Sequence, residues 1–142
     1  MIRHWDPQGK YKKGFLREYD HWILEVSFRQ HTLGCFIIFA KRKVEKISEL
    51  RGSELIELRK VMKDIEDALI KLFNPGRFNY LQMGNSLHHL HFHGIPRYER
   101  SKKFAGKVWL DKTWGHNPVW TRTEVDNEFV IVLKKKILKV LA

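Results

Sequence analysis

The run His89-Leu90-His91-Phe92-His93-Gly94-Ile95-Pro96-Arg97 is the stretch from which the rest of the chain can be read. Imidazoles alternate with apolar side chains, the period-two pattern that predicts a β-strand with His89, His91 and His93 on one face. Gly94 and Pro96 close the run, which is too short for a helix. An unperturbed pKa of about 6.5 lets imidazole act near neutrality both as an uncharged nucleophile and as a proton carrier. Three readings fit such a row. It is a strand whose polar face is histidine, a metal site with His116 as an outside ligand, or a site of covalent phosphoryl or nucleotidyl chemistry by a neutral imidazole. No acidic residue or cysteine lies within the run to complete a ligand set, so the covalent reading leads.

Upstream of the run, Gly84-Asn85-Ser86 reads as a turn and Arg77 to Met83 as a strand. Leu55, Leu58, Met62, Ile65, Leu69 and Leu72 recur at spacings of three and four, predicting a helix with one apolar stripe. Ser48 and Ser53 are its candidate N-caps, Asp67 and Lys71 a surface pair one turn apart, and Asn74-Pro75-Gly76 its stop. Cys35 to Ala40 is a continuous apolar run, expected as a buried central strand that Lys41-Arg42-Lys43 ends. His21 to Arg29 alternates with Trp22, Leu24, Val26 and Phe28 on one face, predicting another strand. The first 20 residues are basic and aromatic without a clear period (Lys10, Tyr11, Lys12, Lys13, Arg17, Tyr19), and are expected to form an arm laid on the domain.

Downstream, Trp109, Trp114 and Trp120 fall in a basic, loop-like segment, either an apolar cover over the sheet or a lid that stacks on a base. From Asp126 a last helix is predicted, with Phe129, Leu133, Ile137 and Leu141 one turn apart. Lys134, Lys135, Lys136 and Lys139 fill its outer face and C-terminal end, where the helix dipole favours them.

A chain of 142 residues and 17.1 kDa is long enough to bury a real core in one domain, and no repeat or flexible linker suggests a second. Charged residues at 30% exclude a membrane-embedded chain. No apolar run has transmembrane length and no charged-then-apolar leader opens the sequence, so the expected location is the cytoplasm, away from any membrane. Cys35 is the only cysteine, which excludes an internal disulfide and a thiolate zinc cluster; a buried, inert thiol is expected. The net charge of +11 points to anionic partners: nucleotides, polyphosphates or nucleic acid.

The histidine run resembles the signature of the histidine triad (HIT) superfamily, in which three histidines alternate with hydrophobic residues, and Ile95-Pro96-Arg97 is familiar from many of its members. The likeness extends through Lys41-Arg42-Lys43-Val44-Glu45 and the long helix, over roughly residues 22–98, and is nearer the diadenosine-polyphosphate-hydrolase-like branch than the sugar-nucleotide uridylyltransferase branch. The resemblance implies a HIT-like α+β domain spanning residues 1–142: an antiparallel sheet with one long helix and a C-terminal helix, a core at about 22–98 and a basic, Trp-rich extension over 99–142. It also implies a homodimer that cleaves a nucleoside monophosphate, expected to be AMP, from a dinucleoside polyphosphate or adenylylated substrate.

By motif position, the resemblance makes His91 the nucleophile on the α-phosphorus, forming a nucleotidyl-histidine that water resolves. His93 then hydrogen-bonds the phosphate oxygens, and His89 orients and polarises the site. The physical chemistry agrees, because a neighbour that fixes the tautomer of His91 leaves one ring nitrogen to attack, and clustered imidazoles discourage protonation of any one of them. Gly84-Asn85-Ser86 stands where the family often has Gly-Gln-Ser/Thr, so Asn85 and Ser86 are implied substrate contacts, Asn85 with a shorter amide. Gly34-Cys35 departs from the pattern, since several members carry a further histidine after that glycine. Arg97 and Lys41 are candidate phosphate contacts, and neither a metal nor another cofactor is expected. Two alternatives keep nucleic acid open as a partner: a basic nucleotide- or nucleic-acid-binding module, and an aprataxin-like enzyme removing AMP from nucleic-acid ends, although no zinc-finger spacing accompanies the motif.

Overall fold

The computed structural model describes residues 10–142, so the first nine residues of the expected arm lie outside the described residues. Five antiparallel strands form the main sheet: β1 (Phe15–Glu18), β2 (Trp22–Val26), β3 (Phe36–Ala40), β4 (Arg77–Leu81) and β5 (His91–Arg97), in the order β1-β2-β3-β5-β4. The long helix α1 (Gly52–Phe73) connects β3 to β4. A hairpin of β6 (Lys102–Phe104) and β7 (Lys107–Trp109) follows β5, and α2 (Asn127–Val140) ends the chain. No helix among the described residues is long and apolar enough to cross a membrane.

Strand alternation divides the sheet into two unlike faces. Trp22, Leu24, Val26, Phe36, Ile38 and Phe92 point to the helices, where they pack with Leu58, Val61, Ile65, Ala68 and Leu69 of α1 and Val130, Leu133 and Ile137 of α2. Ile23, Ile37 and Phe39 point the other way and form a smaller cluster with Phe15 and Leu87. Both helices thus cover one face and leave the other for function. Gly94 is required by this packing. A Cβ there would stand 2.1 Å from Cζ of Phe36, so only glycine lets the ring of this β3 residue lie over β5.

Several expectations shift in register. The second half of the expected arm is β1, an edge strand paired with β2, and its Leu16 is buried in the core. Neither Ser48 nor Ser53 caps α1. Arg51 takes that position, and the buried carboxylate of Glu54 accepts the Arg51 backbone N–H at 2.7 Å. Glu54 also accepts two hydrogen bonds from Arg42 at 3.0 and 2.9 Å, and the guanidinium holds its carboxyl down to about 2. The buried stripe of α1 runs through Val61 and Ala68, leaving Leu55 47% exposed. Asp67 pairs with Lys63 at 2.9 Å rather than with Lys71. The stop is as read: Asn74 takes the left-handed C-cap conformation at φ 50°. At the other end of the chain, the Asp126 carboxylate caps α2 by accepting Phe129 N–H at 2.8 Å. Its buried residues, Val130, Leu133 and Ile137, join the main hydrophobic core.

Candidate active site

The uncovered face of the sheet carries the histidines in two rows. Ile23, Phe39 and His91 are in register across β2, β3 and β5, and so are Glu25, Ile37 and His93. The His91 ring stacks on Phe39 with centroids 5.2 Å apart, and His93 meets its edge at 4.9 Å. His93 in turn meets Trp120 edge-on at 5.0 Å, and Trp120 stacks on His31 at 4.1 Å. Ring packing therefore sets the orientation of both imidazoles from the sheet to the C-terminal segment.

Hydrogen bonding sets the tautomer. His91 Nδ1 lies 2.6 Å from the carbonyl oxygen of His89, an acceptor, so Nδ1 carries the proton and Nε2 the lone pair. His89 itself departs from the expected row. β5 begins at His91, and just before it the chain turns so that Leu90 N–H donates to Val44 O at 2.8 Å. The His89 ring is buried, with Nε2 donating to Ala40 O at 2.6 Å, and burial pushes its pKa below the ordinary value. It does not line the cleft over the other two histidines. Its contribution is its backbone carbonyl.

That cleft has a volume of about 540 Å³, within the usual range of small-molecule sites. His91 and His93 lie in its floor, and Asn85 and Ser86 lie in its rim on the loop that turns at Gly84, φ 65°. The structure thus brings together four of the seven site residues read from the sequence. The other wall is a strap, residues 117–126, that crosses the sheet without regular secondary structure. Trp120, Arg122 and Glu124 of the strap all line the cleft, the alternation of an extended segment. Hydrogen bonds tie the strap down, among them Thr121 N–H donating to His31 Nδ1 at 2.9 Å and Val125 N–H to Phe28 O at 2.8 Å. Burial, and then the nearby charge of Arg29, lower the His31 pKa to about 4.

Arg97 and Lys41 are not at this site. Arg97 is 3% exposed and its donors are taken. Nε and one terminal nitrogen bind the Asp111 carboxylate at 2.7 and 3.1 Å, and the rest reach Asn79 Oδ1, His116 O and Thr113 O at 2.7–2.8 Å. Burial raises the Asp111 pKa, but the hydrogen bonds from Arg97 and two backbone N–H groups outweigh it and leave the carboxyl below its ordinary value. Arg97 is a clip for the loop after β7. His116 belongs to that clip through its carbonyl and does not line the cleft. Lys41 Nζ binds Glu18 at 2.5 Å and Tyr19 O at 3.1 Å, at the turn between β1 and β2.

The three tryptophans part company. Trp109 is buried beside Leu33 and Tyr98, Trp114 lies against Gly76 and Arg77, and Trp120 alone reaches the cleft. Cys35 is the buried thiol expected, pushed up to about 11 by burial and so a poor nucleophile. Glu25, Ser27, Arg29, Arg122 and Glu124 line the cleft without having been singled out in the sequence. For Glu25 a signal existed. It is the one polar residue in β2, and placing Trp22, Leu24 and Val26 on one face puts it on the other.

The HIT domain family model matches residues 16–100. An uncharacterized HIT-like protein of Methanocaldococcus jannaschii is 29% identical over 86 residues, which is 58% of this chain and 67% of that protein. Among solved structures, a hypothetical histidine triad nucleotide-binding protein from Sulfolobus tokodaii superposes with a TM-score of 0.68 at 23% identity, covering 89% of this chain and 82% of the other. A Hit-like protein from Bartonella henselae gives 0.70 at 19%, covering 98% and 100%. The diadenosine triphosphate hydrolase of Plasmodium falciparum gives 0.67 at 15%, covering 90% and 76%.

Proposed function

This chain belongs to the HIT domain family, whose members are nucleotide-binding hydrolases and transferases, and from that premise we propose that it transfers a nucleoside monophosphate from an AMP-linked substrate to water through His91. The observation that carries the reading is the hydrogen bond from His91 Nδ1 to the His89 carbonyl, which aims one neutral tautomer and leaves the lone pair on Nε2. In the first step Nε2 bonds to the α-phosphorus, and the bond from phosphorus to the leaving group breaks. The imidazole gains positive charge as it bonds, and the His89 carbonyl dipole at Nδ1–H stabilises it. In the second step water attacks phosphorus, the P–N bond breaks, and the electron pair returns to Nε2 as the monophosphate departs. His93, Asn85 and Ser86 serve in this reading as hydrogen-bonding partners of the phosphate oxygens. Arg29 and Arg122, exposed at the cleft, supply the positive field that Arg97 and Lys41 do not.

The adduct is the test. A P–N bond to imidazole is labile in acid and persists in base. Mixing His93→Ala protein with radiolabelled diadenosine triphosphate and quenching in base should leave label on a peptide containing His91. Release of AMP without any covalent label, in variant and wild type alike, would replace His91 by direct attack of water.

A second reading, a surface for nucleic acid, is favoured by a separate feature. Lys12, Lys13, Lys134 and Lys135 surround Phe15 and Ile131 in a cleft between the Lys10–Gly14 turn and α2. Among the described residues none of these lysines has a carboxylate partner. Strongly salt-dependent binding of single-stranded DNA or RNA, lost in Lys134→Glu/Lys135→Glu, is its expected signature. We also propose a homodimer. Leu55, Ile56 and Ile70 leave apolar surface on α1, and light scattering at micromolar concentration should give twice the chain mass.

A further inference from the structure

The basic cleft beside α2 and the cleft over the histidines share a border. Phe15 lines the basic cleft, and on the uncovered face it packs with Ile23, Ile37 and Phe39, the cluster beneath the histidines. Its partner across the β1–β2 ladder is Glu25, which lines the histidine cleft. The Lys10–Gly14 turn itself lies on the end of β2. A Cβ at Gly14 would come within 2.6 Å of Val26 O and 3.6 Å of the Phe28 ring. Ser27 and Phe28, just past β2, both line the histidine cleft. The end of β2 therefore stands between the two clefts.

Their order across the sheet limits what can occupy both. Phe15, Glu25, Ile37 and His93 are in register on β1, β2, β3 and β5. At the usual strand spacing the row spans about 14 Å. The reacting phosphorus belongs at its histidine end, and Lys12, Lys13, Lys134 and Lys135 surround Phe15 at the other. A nucleoside in the histidine cleft thus lies between the phosphorus and the lysines. A mononucleotide carries its phosphate at the wrong end to meet them. Whatever reaches them continues from the far side of the nucleoside, through the ribose 3′-oxygen. Four lysines call for several phosphates, and the floor of Phe15 and Ile131 offers a surface on which an unpaired base can lie. Phosphates and bases repeating along one chain describe a single-stranded nucleic acid.

We propose that the two clefts form one site for the 5′ end of a single-stranded nucleic acid, with its first nucleoside at the histidines and its following phosphates on the lysines. This rests on the reaction proposed above for His91 and extends it to the basic cleft. Nε2 bonds to the 5′ α-phosphorus of the strand, and the bond to the bridging oxygen breaks. The group beyond that oxygen departs with the electron pair, while the strand stays on the protein. Water then breaks the P–N bond and leaves a 5′-monophosphate end. One water is consumed overall, adding hydroxide to phosphorus and a proton to the departing oxygen. The polarity is opposite to that of an enzyme which holds AMP and expels the strand.

A tetradeoxyadenylate joined 5′ to 5′ through a pyrophosphate to adenosine separates the two polarities, because one phosphorus belongs to the strand and the other to AMP. Hydrolysis in heavy-oxygen water marks the phosphorus that is attacked. The label should appear in the phosphate of the tetranucleotide, and label in the AMP, wholly or in equal share, overturns the proposal. Diadenosine diphosphate has the same linkage without the extension. Wild type should favour the longer compound in kcat/KM by about ten-fold or more, through KM, with the advantage shrinking as salt rises. Lys134→Glu/Lys135→Glu, at half-exposed and exposed positions, should bring that ratio to about one. A ratio that survives the change, or an equal fall on both substrates, refutes the joined site. If wild type turns over neither compound, the hydrolase reading fails, and calorimetric binding at low salt decides the site alone. Tetradeoxyadenylate 5′-phosphate that displaces AMP and binds about ten-fold or more tighter supports it. Simultaneous binding of the two, or equal affinity, overturns it.

Discussion

His31 lies flat against Trp120, planes 27° apart, and the same imidazole accepts the N–H of the next residue, Thr121. One side chain therefore holds the strap by a ring face and by a lone pair, and protonating Nδ1 removes the second hold. Its pKa is about 4 in the folded protein against about 6.5 for an unperturbed histidine. The unfolded chain thus takes up the proton first as pH falls. The stabilisation is fully present above pH 6.5 and is lost progressively toward pH 4. His31→Gln keeps an acceptor and cannot titrate, so its stability should decline less than that of wild type over this window, as measured by urea melts at several pH values. Parallel curves would assign the acid sensitivity to other groups, His89 first.

Replacing His91 by alanine should reduce turnover by about 10³-fold or more, because loss of a nucleophile removes the covalent route entirely. The ring packs on Phe39, so some stability goes with it, and circular dichroism should still show a folded protein at 25 °C. Rates within ten-fold of wild type would take His91 out of the chemistry.

Arg97→Ala should cost about 3–5 kcal/mol of unfolding free energy, since it strands the buried Asp111 carboxylate. Replacing both partners with apolar residues, Arg97→Met with Asp111→Leu, should recover much of that loss. A protein of normal stability whose only defect is a raised KM would instead return Arg97 to the substrate.

Gly94→Ala should destabilise the fold by about 1–3 kcal/mol or more, because the added methyl enters the space of the Phe36 ring. Pairing it with Phe36→Leu should restore part of the loss, and a double-mutant cycle reads the coupling. Additive effects would place the strain elsewhere.

Much of this was legible from periodicity. The all-buried β3, the stop at Asn74 and the helix that starts after Asp126 each follow from local rules of the chain. What escaped were contacts between distant segments. The alternation of His89 with His91 held for two residues and failed at the third, because where the ladder of β5 begins depends on Val44 and Ala40, more than forty residues away. Arg97 follows the histidines in the motif and looks like a phosphate contact, but Asp111 and the carbonyls after β7 claim it first. Leu55 has helical spacing yet faces water, since Val61 and Ala68 complete a better stripe against the sheet. Arg122 and Glu124 carry no local signal at all. They line the cleft because the strap is held over it, with His31 and Phe28 among its anchors.

Cys35, buried at 2% exposure on the segment that leads into β3, gives the molecule a built-in gauge of its own opening. A thiol reagent has no other sulfhydryl to meet in this chain, and it can reach this one only when the segment that leads into β3 opens, parting the thiol from Thr32. The alkylation rate in dilute urea, divided by that of the unfolded chain, therefore measures how often that segment opens. Saturating the cleft with nucleotide should slow that rate in proportion to ligand occupancy, giving a readout of binding that needs neither turnover nor label on the ligand.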